Sequence, residues 1–198
     1  MLTAHRVADI RAAEAAAKVG LPDGALMQRA VRGLAEALAD IPVGDLVVVL
    51  AGPGDNGGDA LFAAAALLDR GVRVDVALVD PERVHAAGLA AAVAAGAQVI
   101  DEPSSQPWCI DGMFGIGSRA GLSGRAAEWA DWARSSGVRT IAVDVPSGID
   151  VDGGTVPGSH VTAERTVTFG SHKVGLLAGP SAGAAGEVRL VDIGLDLG

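Results

Sequence analysis

A chain of 198 residues with 49% hydrophobic content is long enough for one sizeable core and short for two, so a single domain over 1–198 is expected. A formal charge of −9 gives the surface no electrostatic footprint for DNA or RNA, and a small anionic ligand would need a local pocket. No apolar run reaches the roughly 18 residues of a membrane span and no signal-peptide pattern opens the chain, which points to a cytoplasmic protein with no membrane partner.

Residues 3–19 suit a helix opening at Thr3, with Val7 and Ile10 on one face and Gly20 at its end. From Asp23 or Gly24 to Asp40, the residues Leu26, Met27, Ala30, Val31, Leu34 and Leu38 form a broad apolar stripe that must pack on the core or on another subunit. The stretch 46–70 follows, and the rest of the chain is organised around it. Val47, Val48, Val49 and Leu50 read as a parallel strand buried on both faces. Gly52, Gly54, Gly57 and Gly58 then turn the backbone and leave its amides uncovered, and Leu61, Phe62, Ala65 and Leu68 recur at helical spacing until Gly71. A helix start beside the carboxyl end of a central strand favours phosphate or another anion.

Val72 to Val79 reads as a second strand, and Asp80-Pro81-Glu82 as the cap and first turn of a helix reaching Ala95. Asp80 also stands about 20 residues beyond the glycines, where a dinucleotide-binding unit places its ribose-binding acid, but capping is the simpler role. Strands are expected at 98–100, 108–113 and 138–145, with a helix at 123–136. Two more strands, 164–169 and 188–193, are joined by a Gly-, Ala- and Pro-rich stretch too irregular for a long helix. The single Cys109 lies in an apolar stretch and suits a buried small hydrophobe. The pattern is an α/β alternation with two helices ahead of the first long strand.

Three segments end strands with an acidic or amide residue followed by glycine or proline: 55–59, 111–121 and 144–150. In a parallel sheet their loops share one rim, where ligands of open α/β sheets bind. Taken singly, each is weak. Residues 52–57 satisfy GxGxxG literally, but Pro53 is unusual in a dehydrogenase fingerprint, and no Gly-Lys-Ser/Thr follows to make a P-loop. The block 112–121 reads equally as a second phosphate loop or a surface turn, and 144–148 as a strand end stopped by proline.

Together AGPGDNGGDAL, DGMFGIGSRAGLSG, AVDVPSGIDVDGG, TVTFGSHKVGLL and the closing VDIGL, with the early ADIRAAEAAAKVG and LMQRA segments, resemble in this order the NAD(P)H-hydrate epimerase family, also called the YjeF N-terminal domain. The resemblance implies a three-layer α-β-α sandwich with a Rossmann-like, mostly parallel sheet, a homodimer, and an isomerase that interconverts the R and S epimers of hydrated NADH and NADPH in cofactor repair. Carried over by motif, Asp55, Asn56, Gly57, Gly58 and Asp59 line the hydrate site. Gly115, Ile116, Gly117, Ser118, Arg119, Ala120 and Gly121 cradle the phosphates, and Asp144 contacts the altered ring. A potassium ion is implied on Asn56, Asp111 and Ser147, an oxygen-only set that suits a hard cation. A plainer role for Asn56 and Ser147 is to bond turn amides.

Two departures from the family pattern stand out: Asp55 replaces an asparagine, and Ala60 a common glycine. The first places an added carboxylate near a diphosphate site. The kinase-like dehydratase domain of larger relatives has no match here. In the mechanism expected, ring nitrogen expels hydroxide and an ionised Asp144 stabilises the resulting cation or acts as base. Lys173 is read either as a phosphate partner or as an exposed structural lysine, and His5, His85, His160 and His172 as solvated surface. Competing readings are an NAD-dependent dehydrogenase, for which no catalytic domain remains, and a non-catalytic nucleotide-binding or protein-interaction scaffold.

Overall fold

A computed structural model of the chain describes residues 3–197. Its frame is a seven-stranded sheet, parallel at every pairing, built from β2 (Leu46–Ala51), β3 (Arg73–Leu78), β4 (Gln98–Ile100), β5 (Trp108–Gly112), β6 (Arg139–Val143), β7 (Arg165–Phe169) and β9 (Glu187–Val191). The strand order is β4-β3-β2-β5-β6-β7-β9. The chain runs outward from β2 through β3 and β4, then returns to lay β5 on the other side of β2. The crevice between the β2 and β5 carboxyl ends is therefore the topological switch point, where open α/β sheets take ligands.

Side-chain alternation along β2 makes the sheet double-faced. Val47 and Val49 pack with Leu26, Leu34, Leu61 and Ala92 of α2 (Ala25–Ala37), α3 (Asp55–Asp69) and α4 (Ala86–Ala95). Val48 and Leu50 pack with Ala126, Trp129 and Ala130 of α5 (Gly124–Ser136) on the opposite face. The expected strand buried on both sides and the three-layer α-β-α arrangement are borne out. Cys109 is fully enclosed in the second layer, as expected.

Three local expectations are corrected. The first helix opens at Val7, not Thr3: Ala4–His5 form a short strand, β1, parallel to β8 (His172–Lys173), and α1 (Val7–Val19) begins where the Asp152 carboxylate accepts from the Val7 amide at 2.9 Å. Edge pairing here outweighs local helix propensity. Asp80 does not cap α4: its carboxylate accepts from the Glu82 amide in a local turn, and Nδ1 of His85 takes the capping bond from the Gly88 amide at 3.0 Å. His85 is thus a half-buried structural residue, edge-on to Phe62 with ring centroids 5.6 Å apart. The irregular stretch before β9 carries two single-turn helices, α6 (Val174–Leu177) and α7 (Ala182–Ala185), around a small third core with Val145, Ile149 and Val151. Among the described residues no helix is long and apolar enough to cross a membrane.

Candidate active site

The loops after β2, β5 and β6 meet at the switch point. Gly52 makes the closure possible, because a side chain there would drive into the Met113 carbonyl of the neighbouring loop, while its amide donates to Gly112 O at 3.1 Å. Gly57 in turn packs on the Gly52 carbonyl. Close backbone approach, more than an open row of amides, is the service these glycines perform.

A cleft of about 380 Å³ opens above this junction. Of the residues singled out in the sequence, Asp55, Asn56, Asp59, Gly115, Ile116, Gly117, Ser118 and Asp144 line it. Gly57 and Gly58 lie buried beneath it in the first turn of α3, and Arg119, Ala120 and Gly121 lead the chain away toward a turn where the Gly121 amide donates to Gly148 O. A second cleft of about 440 Å³ adjoins the first, sharing Glu14, Asp55, Asp59 and Phe169. Asp55 is exposed, so its added carboxylate meets solvent.

Sequence reasoning missed the contribution of α1. Arg11 and Glu14 line the first cleft, and Glu14 and Lys18 the second. Arg11 reaches over the second glycine loop, with its Nη2 2.7 Å from where a Cβ on Gly117 would stand. The signal was present as spacing: residues 11, 14 and 18 share one helical face.

Asp144 is the one non-glycine residue with positive φ (67°) among the described residues. Its amide donates to Val167 O at 2.7 Å, and the left-handed turn swings the carboxylate off the end of β6 toward the cleft. Such a conformation costs of order 1 kcal/mol and is held only where the surroundings over-determine it. The surroundings here are Lys173, 1% exposed, whose Nζ donates to Asp144 Oδ1 at 2.6 Å, Thr168 Oγ1 at 2.8 Å and Phe169 O at 2.8 Å. Lys173 is therefore neither an exposed lysine nor a phosphate partner, because its three donors are spent inside the protein. The neighbouring histidines also depart from the surface reading. His172 is buried, and burial followed by the Lys173 charge lowers its pKa; Nδ1 of His5 lies 2.6 Å from Ser171 Oγ. His160, half-exposed, has Nδ1 2.9 Å from the Gly158 carbonyl oxygen.

Under the cleft, Asp111 and Ser147 are fully buried. The Asp111 carboxylate accepts from Ser147 Oγ at 2.6 Å, Ser147 N at 2.8 Å and Met113 N at 3.2 Å. No basic side chain bonds it among the described residues, and burial, only partly offset by the Ser147 bonds, pushes its pKa up to about 6. Ser147 Oγ also accepts from the Phe114 amide, and Asn56 packs its amide group on Gly115 next door, with Nδ2 buried and unpartnered among the described residues. A carboxylate without a counter-charge beside amide and hydroxyl oxygens is a donor set that fits a hard monovalent cation.

The model of the family described as YjeF-related protein N-terminus matches residues 23–175. The chain belongs to that family. Its YjeF-type fold is shared with the crystal structure of yeast ynu0, which aligns with a TM-score of 0.76 at 21% identity over 92% of this chain and 86% of that one. In sequence the chain is 43% identical to the NAD(P)H-hydrate epimerases of Microbacterium testaceum and Clavibacter michiganensis, covering 98% of itself and 80% and 91% of them. It is also 43% identical to the bifunctional NAD(P)H-hydrate repair enzyme Nnr of Mycobacterium leprae, of whose length it spans 42%.

Proposed function

We propose that this YjeF-family chain is an isomerase that epimerises the R and S forms of hydrated NADH and NADPH at the hydroxyl-bearing ring carbon. The observation that carries the reading is the pair of adjoining clefts at the switch point, with the Arg11 side chain and a glycine loop at one part and a buried carboxylate, Asp144, at another. Relatives named NAD(P)H-hydrate epimerase that align along 98% of the chain support it.

In this reading the diphosphate lies along 115–118, where Arg11 offsets the acidity of the cleft. Asp144 faces the hydrated ring. Departure of the hydroxyl, driven by the ring nitrogen lone pair, leaves an iminium cation that the Asp144 carboxylate stabilises, and return of water to the other face inverts the carbon. Lys173 holds that carboxylate in place through an ion pair and two further bonds fix the lysine. A potassium ion, held by Asn56, Asp111 and Ser147, would supply the positive charge that the buried Asp111 lacks. A homodimer is also part of the reading, and an apolar groove of about 780 Å³, lined by Met27, Val31, Ala35, Phe62 and Ala66, is the surface that a second copy would cover.

The deciding experiment presents the R epimer alone with an S-specific dehydratase as detector. Consumption well above the uncatalysed rate is expected. Its absence would leave the scaffold reading, which the exposed position of Asp55 does not itself favour.

A further inference from the structure

Four carboxyl groups, Glu14, Asp55, Asp59 and Asp144, line the first cleft, and Asp59 differs from the others. It projects from the second turn of α3, is 8% exposed, and its Oδ1 has no hydrogen-bond partner among the described residues. Asp144, Asp55 and Glu14 face it, and all three charges oppose its ionisation. Of the cations nearby, Lys173 is committed to Asp144, Thr168 and Phe169, while Arg11 and Lys18 act on Glu14 from within α1. Among the described residues no basic side chain pairs with the Asp59 carboxyl, so no counter-charge on the protein relieves the crowding. What relieves it is a proton. Burial first, and the neighbouring charges second, push the Asp59 carboxyl up to about 8. Asp144, on a different element, has its carboxylate paired with an ammonium at 2.6 Å. One cleft thus holds one carboxyl that keeps its proton and one that is ion-paired, the division of labour that acid-base chemistry at neutral pH uses.

We propose that Asp59 is the proton donor of this site, protonating the hydroxyl that leaves the hydrated ring. The inference rests on the epimerase reading and assigns a role within it. The carbon-oxygen bond breaks as the Asp59 proton moves to the departing oxygen, so water leaves, the nitrogen lone pair forms the carbon-nitrogen double bond, and Asp59 is left as a carboxylate. Water then adds to the other face, the double-bond electrons return to nitrogen, and the proton shed by the entering water goes to Asp144. Exchange through cleft water returns that proton to Asp59, and no oxidant or reductant is consumed. Inversion needs a proton delivered at one ring face and removed at the other, which two carboxyls on separate elements supply.

The test compares wild type, Asp59→Asn and Asp59→Glu in the R-epimer assay across pH 6 to 9.5, with folding checked by melting temperature. Wild-type kcat is expected to fall as pH rises through about 8, as the donor loses its proton, and Asp59→Asn to lose about 10²- to 10⁴-fold in kcat with KM within threefold. The glutamate variant, which still carries a proton, should recover part of the loss. Near-normal turnover in a folded Asp59→Asn protein, or an alkaline limb that persists in it, overturns the assignment while wild-type activity keeps the epimerase reading intact. If the asparagine variant does not fold, a wild-type kcat that stays flat to pH 9.5 overturns it and a falling limb supports it. A wild type with no activity at any pH overturns the epimerase reading and this assignment with it.

Discussion

Lys173 Nζ and Asp144 Oδ1 lie 2.6 Å apart with the lysine side chain 1% and the aspartate side chain 12% exposed. Twenty-nine residues separate them in the chain, and the short β1–β8 pairing is what brings the lysine back beneath the cleft. Removing either partner strands a charge in the interior, so Lys173→Met is expected to destabilise the fold by about 3–5 kcal/mol. Urea unfolding at pH 7 measures it. Asp144→Asn should cost turnover as well, and near-normal epimerase activity in that variant would remove Asp144 from the mechanism.

The raised carboxyl of Asp59 has a consequence for stability that is separate from catalysis. A group that holds its proton to about 8 in the folded state and to 3.8 in its ordinary state stabilises the fold fully below pH 3.8 and loses that contribution as pH rises toward 8. Asparagine has no such titration. Asp59→Asn is therefore expected to melt higher than wild type by several degrees at pH 8, at about 2–4 °C per kcal/mol for a chain of this size, and to lose that advantage near pH 4. Thermal unfolding of both proteins at the two pH values decides it, and an equal difference at both would be the contrary result.

Asp111 provides the test of the proposed ion. Potassium chloride in place of choline chloride at equal ionic strength should raise the melting temperature of the wild type, since a ligand that binds only the folded state stabilises it. Asp111→Asn should abolish the response. A wild-type melting temperature indifferent to the cation would count against potassium on this set.

Arg11 should act on binding more than on chemistry. Arg11→Ala is expected to raise KM by about tenfold with kcat changed less than threefold, the pattern of a lost contact made equally in ground and transition states. The mutant KM should also respond less to added salt. Loss confined to kcat would place Arg11 elsewhere in the reaction.

Gly52 tests the architecture. Any side chain there collides with the Met113 backbone, which cannot yield as a flexible side chain would. Gly52→Ala is expected to destabilise by about 1–3 kcal/mol through overpacking. Gly183→Ala, where a Cβ meets nothing within 4 Å, is the matched control.

Much of this molecule follows from local sequence. A four-residue apolar run states that β2 is buried on both faces, because a parallel strand flanked by helices has no wet side, and glycines at 71, 96 and 137 end helices because they reach left-handed φ without strain. The three acidic strand ends were legible for the same reason: parallel topology sends every strand's carboxyl end to one rim. What the sequence could not give were properties set by distant neighbours. Val7 starts α1 because Asp152 accepts from its amide 145 residues away, and Arg11 belongs to the cleft only because that helix is laid across Gly117. The ionisation states were equally out of reach: Asp59 and Asp144 are the same residue type, and burial among carboxylates in one case and an enclosed lysine in the other make them chemically different. Charge state depends on the field at a point in space, and that field exists only once the chain has folded.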